Sequence, residues 1–333
     1  MTEQPLLSIV ITSYTLDRLK DVTELLDGIK VQTYPHVETI VVVEGSMELF
    51  DLLKQYAIDK SIPQTKVVFN NGERGLSAAR NMGVAQASGE MVAFIDDDAL
   101  PFQNWAEEIV KSYEDDSVIG VTGPSLPLWE DKAMNWVPEE FYWIIGGSGY
   151  SDWTTNRDIR NVSGTNMSFR REAFDSCGLF LTQLGARGGG ESGKHELVGD
   201  ETELSIRVRR KTGKSIIYNP NVTVQHRVYK FRLTPAFIAR RAYWEGYTKA
   251  MFKKSYRDIN YKKKCLQVEH QLLRRIFTRL FPRILVGLFH HPIIATNKLL
   301  MTVNTLFFVA VGYFGYSFQR LLGRAQTIIH ESE

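Results

Sequence analysis

Apolar residues recur along the first third of the chain in two alternating rhythms. Residues 7–11 and the β-branched residues 39–43 are short continuous runs, with the length and composition of strands buried on both faces. Between them Leu19, Val22, Leu25, Leu26 and Ile29 fall three or four apart, the stripe of an amphipathic helix. The alternation continues with a helix over 47–58, a strand over 66–69, a helix over 76–87 set between Gly75 and Gly89, and a strand over 91–95. Strands and helices in this order predict an α/β, mostly parallel, doubly wound sheet.

The rhythm breaks after residue 123. Residues 124–193 are rich in Gly, Trp and polar residues and predict loops and short strands around a cleft, with 187–194 as a mobile lid. A helical pattern returns over 202–212, followed by short strands at 215–218 and 222–225. In the tail Phe277, Leu280, Phe281, Ile284, Leu285 and Leu288 recur at helical spacing, interleaved with Arg274, Arg275, Arg279 and Arg283. A basic amphipathic helix of this kind suits a membrane interface, and Pro282 predicts a kink in it. Residues 299–318 then run for twenty positions without a charge, long enough to cross a bilayer or to lie in one. The pattern divides the chain into a body at 1–230, a basic neck at 231–298, an apolar helix at 299–318 and a polar tail at 319–333.

Composition changes this picture in two ways. The two cysteines, Cys177 and Cys265, form no disulfide framework and fit a reducing compartment; no secretory signal is read at the amino end. The net charge of +2 hides an uneven distribution. Residues 227–283 hold sixteen basic side chains against Glu245, Asp258 and Glu269, so the rest of the chain is acidic. The neck carries no nucleic-acid-binding module, and the apolar helices beside it point to anionic lipid.

Asp96, Asp97 and Asp98 stand where the 91–95 strand ends. Open α/β sheets place ligands at the carboxyl ends of their strands. Three adjacent carboxylates repel one another, and a divalent cation relieves that repulsion. Hard oxygen ligands suit Mg²⁺ or Mn²⁺, which keep water and substrate phosphate as remaining ligands.

Five segments in order, SIVITSY at 8–14, VVVEGS at 41–46, RGLSAARN at 74–81, FIDDD at 94–98 and GDETEL at 199–204, resemble a family 2, GT-A type glycosyltransferase. The resemblance covers about residues 6–230. It implies a GT-A fold, a UDP-sugar donor, a Mn²⁺ or Mg²⁺ cofactor and inverting transfer. Thr12, Ser13 and Tyr14 fall in the base-and-ribose pocket, with Tyr14 stacking on uracil. Glu44 stands where the family places an aspartate that accepts from the uracil edge. Arg74 and Arg80 flank the helix near the diphosphate, and one of them pairs with it. Asp96 faces the ribose and the metal, Asp98 holds the metal, and Asp97 lies with them in the nucleotide-sugar site. The family's base comes from a Gly-Glu-Asp pattern; here the two acids are exchanged, so register selects Glu201, with Asp200 as the alternative. His226 corresponds to a further metal ligand in some members. Asn166 falls on the acceptor side, and Trp136, Tyr142 and Trp143 either stack on sugar faces or pack in a core.

Segments 94–99, 140–143, 163–174 and 244–249, ahead of an apolar tail, are similar to the archaeal glucosyl-dolichyl phosphate glucuronosyltransferases. That finer resemblance implies a polyprenyl- or dolichyl-phosphate-linked acceptor at the cell membrane, with the body facing the cytoplasm. Two other classes compete. A processive polysaccharide synthase needs Gln/Arg-x-x-Arg-Trp after the base, but residues 240–244 place Tyr243 at the second arginine. A non-catalytic membrane-binding protein would have no need of Asp96, Asp98 and a carboxylate base.

Overall fold

Alternation along three parallel strands decides which helix packs where. The computed structural model describes residues 4–62, 64–185, 197–255 and 266–325. The expected lid at 187–194 lies outside the described residues. Strands β1 (Leu7–Ser13), β2 (Val37–Glu44), β3 (Thr65–Asn70) and β4 (Met91–Asp96) alternate with α1 (Leu19–Lys30), α2 (Met47–Asp59) and α3 (Leu76–Gln86). Leu7, Ile9, Ile11, Val41, Val43, Ala93 and Ile95 face one layer, where α1 and α2 bury Leu25, Leu26, Leu49 and Leu53. Val10, Ile40, Val42, Val92 and Phe94 face the other, against Ala79 and Val84 of α3. A Cβ at Gly83 would collide with Val10, so this glycine sets how closely α3 lies on β1.

The remaining elements of this unit are β5 (Ala99–Pro101), α4 (Trp105–Ser112), β6 (Val118–Thr122), β7 (Ser125–Trp129), β8 (Arg157–Asp158), β9 (Asn166–Arg170), α5 (Arg171–Cys177), α6 (Asp200–Thr212), β10 (Ser215–Tyr218) and β11 (Val224–Val228). The main sheet runs β3-β2-β1-β4-β9-β6-β10-β8, and a small sheet runs β5-β11-β7. β1 pairs in parallel with both β2 and β4, and β6 with β10. β9 enters antiparallel between β4 and β6. The expected doubly wound sheet is therefore present with one reversed strand in its middle, drawn from a segment expected to supply loops and short strands. β11 starts two residues later than expected, because the Asn219 side chain accepts from Asn221 N and holds a turn ahead of it.

A second compact unit joins residues 129–145 to the chain beyond Arg227. This differs from the expected division at residue 230. Met134, Val137, Phe141, Ile144 and Ile145 share one apolar cluster with Val228, Ile238, Ile276, Leu280, Ile284 and Met301. Its helices are α7 (Pro235–Ser255), α8 (Gln267–Arg275), α9 (Phe281–His290) and α10 (Pro292–Leu321). A π-turn at Ile276–Leu280 joins α8 to α9 just before Pro282, which has no N–H for the preceding turn. α10 begins seven residues before the charge-free stretch, with Pro292 at its first position. It is long and apolar enough to cross a membrane.

Candidate active site

The parallel register brings three strand ends together. Thr12 is level with Asp96, and Ser13 with Val43, so Tyr14, Glu44 and Asp96 leave the sheet as neighbours. Tyr14 is 44% exposed, open for stacking rather than packed in a turn. Glu44 is buried, and its Oε2 accepts from Gly75 N at 3.0 Å. That bond fixes the carboxylate and holds Gly75, at φ +127°, ahead of α3.

The three aspartates differ in their partners. Asp98 is buried; its Oδ1 lies 3.0 Å from His226 Nε2 and its Oδ2 2.9 Å from Arg18. Asp96 keeps 30% of its side chain exposed. Asp97 Oδ2 accepts from Ser13 Oγ at 2.6 Å. Desolvation of this inward-turned carboxylate and the Asp98 charge push Asp97 up to about 7. Ligand atoms of Asp96, Asp98 and His226 all lie within 4.8 Å of one another. Two carboxylates and an imidazole fit a divalent cation. His226 lies within β11 rather than after it, and this strand, paired with β5, brings it to Asp98.

Across the site, α6 begins at Asp200 with Gly199 in the left-handed region at φ +94°. Both carboxylates of the exchanged pair therefore sit in the first helical turn, where the helix dipole favours negative charge. Asp200 Oδ2 is 2.7 Å from Arg80 Nη1, both side chains being buried. Arg80 Nη2 also donates to Gly164 O at 2.9 Å and reaches Asp96 at 3.3 Å. Burial alone would lower the Arg80 pKa; the carboxylates of Asp200, Asp96 and Glu201 outweigh it and keep the guanidinium charged. Glu201 is half-buried. Desolvation and the adjacent Asp200 push it up to about 7, the range of a general base working at neutral pH.

Several expected roles change. Asn166 is 1% exposed: its Oδ1 accepts from Trp105 Nε1 at 2.9 Å and its Nδ2 donates to Val222 O at 2.7 Å. It is a strut between elements and is not available to an acceptor. Ser13 is buried and its hydroxyl donates to Asp97, which is only partly buried, so these two side chains join β1 to the β4 exit. Arg80 is buried and bonded to Asp200, Asp96 and Gly164, whereas Arg74 is exposed. Trp143 packs beside the apolar cluster of the second unit, as do Trp136 and Tyr142. Arg18 was not foreseen. It ends the 3₁₀ turn Leu16–Arg18 just before α1, and no local pattern announces that it will reach Asp98. Arg227 was missed likewise: it pairs with Asp21, which also binds Arg18.

Residues 8–178 match the model of Glycosyl transferase family 2. The chain belongs to that family. This transferase is 31% identical over 243 residues to a glucosyl-dolichyl phosphate glucuronosyltransferase of Haloferax volcanii, spanning 73% of this chain and 75% of the relative. A second relative from that organism, Glycosyltransferase AglE, is 30% identical over 54% of the transferase and 57% of its own length. Among solved structures, a mannosyltransferase from Pyrobaculum calidifontis in complex with GDP-Man and Mn²⁺ superposes with a TM-score of 0.62 at 21% identity. The match covers 94% of this chain and 88% of that one, so the transferase shares its GT-A fold.

Proposed function

We propose that this transferase inverts the anomeric centre while moving a hexose from a UDP-sugar to a polyprenyl- or dolichyl-phosphate-linked sugar, on the cytoplasmic face of the cell membrane. One observation carries the reading: Arg80 links Asp96, a member of the cation cluster, to Asp200, next to a second carboxylate whose pKa is raised to about 7. The donor's leaving group belongs at Asp96 and Asp98, and the acceptor hydroxyl at Glu201. Glu201 takes the hydroxyl proton as the oxygen bonds to the anomeric carbon from the face opposite the diphosphate. The sugar–phosphate C–O bond breaks, and its electron pair leaves with UDP. Asp96, Asp98 and His226 would hold Mn²⁺ or Mg²⁺, which would supply charge neutralisation at the diphosphate. Arg18 steadies Asp98, and Arg80 pairs with Asp200 beside Glu201. Tyr14 and Glu44 address the uracil, and Thr12 the ribose.

The relative named for glucuronosyl transfer supports UDP-glucuronate and dolichyl phosphate glucose as the first substrates to test. Purified protein with Mn²⁺ is expected to release UDP from one member of a sugar-nucleotide panel, faster with the lipid acceptor, and to lose this in Asp98→Ala. Release of GDP in place of UDP would overturn the uracil assignment to Glu44. A product retaining the donor's anomeric configuration would overturn Glu201 as base.

A further inference from the structure

The longest helix of the second unit has two unlike faces. One face lies on α7. A Cβ at Gly246 would collide with the Val309 carbonyl, and one at Gly312 with the Tyr243 carbonyl, so the two backbones touch. Asn304 Nδ2 donates to Pro235 O at 3.2 Å, and Tyr247 Oη to Gln319 Oε1 at 2.8 Å. The Tyr247 and Tyr316 rings meet edge to face at 5.1 Å. These contacts distribute α7 along nearly the whole charge-free stretch of α10. The other face is a stripe: Leu300, Val303, Phe307, Val311, Phe314 and Phe318 step by three and four residues, all exposed, with Phe307 at 59% and Phe314 at 69%.

We propose that α10 lies in the plane of an anionic bilayer, with this stripe in the acyl boundary and α7 on the water side, and does not cross the membrane. Arg240 and Arg241 lie on the part of α7 that runs beside the stretch of α10 a bilayer would have to enclose, and Arg240 is exposed. A spanning α10 would take them to bilayer depth, where arginine and lysine are among the costliest residues. An in-plane α10 leaves them at the headgroups. Its 30 residues make a contact line of about 45 Å.

Charge selects lipid as the occupant over a second copy of the chain. The preceding helices expose Phe277, Leu285 and Phe289 beside exposed Arg274, Arg279 and Arg283. An apolar face among arginines repels an identical face and attracts phosphate headgroups. The inference takes its purpose from the lipid-linked acceptor proposed above, but its geometry is independent of that reading.

The test uses the full chain with Cys177 and Cys265 replaced by serine and single cysteines at Lys298→Cys or Arg324→Cys. In sealed membrane vesicles both positions should react with an impermeant maleimide from the same side; reaction from opposite sides overturns the proposal. A second variant, Phe307→Glu with Phe314→Glu, should bind phosphatidylglycerol vesicles at least about tenfold more weakly in flotation. Its donor-dependent UDP release should be unchanged. Undiminished flotation overturns the proposal, and a dimer that this variant splits while flotation persists would assign the stripe to a second copy. Loss of UDP release from the unaltered chain would instead count against the substrate reading.

Discussion

Asp200 reaches the Arg80 guanidinium at 2.7 Å, whereas burial and the Asp200 charge set the protonation of Glu201. Adjacent acids thus separate into one paired with Arg80 and one that titrates at about 7. Glu201→Gln is expected to lower kcat by about 10²–10⁴. A base works unprotonated, so the unaltered enzyme should lose rate as pH falls below about 7, and a pH profile of the glutamine variant should lack that limb. Stability moves the other way. The folded protein holds the Glu201 proton up to about 7, above the ordinary 4.5, so this group's contribution is lost as pH rises through that window. Glu201→Gln should therefore melt higher than the unaltered chain at pH 8. Asp200→Asn should cost about 3 kcal/mol in urea unfolding, because Arg80 stays charged and buried without its closest partner. A denaturation midpoint unchanged by Asp200→Asn would mean that the pair holds nothing together.

Elements joined through one buried carboxylate give the next scale. Glu38, on β2, accepts from Ser8 Oγ on β1, from the amide and hydroxyl of Ser88 between α3 and β4, and from Lys66 on β3. Burial alone would raise its pKa; these donors instead bring it down to about 2. The stability it contributes is present above its unfolded value of 4.5 and is lost as pH falls toward 2. Glu38→Gln should cost about 2 kcal/mol at pH 7, and chemical denaturation repeated near pH 2 should find the difference gone. The strand and helix periods made β1 to β4 legible in sequence, because each element's burial is set by its own alternation. β9 was not legible: Asn166–Arg170 joins the sheet only through β4 and β6, and its pattern carries no sign of them. The site divides in the same way. Asp96 and Asp98 follow from a strand end and Glu201 was marked only by the family resemblance, while Arg18 reaches Asp98 and Asn166 is consumed as a strut through contacts that no spacing encodes.

At the scale of the molecule, the two glycines between α7 and α10 are the sensitive point of the second unit. Gly312→Leu would force two backbones apart, and overpacking of this kind costs about 1–3 kcal/mol or more. Its melting temperature should fall while Leu300→Ser, on the exposed stripe, leaves it unchanged; equal melting of both variants would remove the α7–α10 contact from the account.

The second unit is also interrupted in sequence, which has a consequence during synthesis. Residues 129–145 leave the ribosome long before Ile238, Ile276, Leu280, Ile284 and Met301 exist to cover their apolar side chains. At ordinary elongation rates that delay is roughly 10–30 s. Met134, Phe141 and Ile145 are available to chaperones, or to other nascent chains, for all of it. A polypeptide stopped at residue 230 never leaves this state. It should collect in the insoluble fraction, and polar replacements at those three positions should return it to solution.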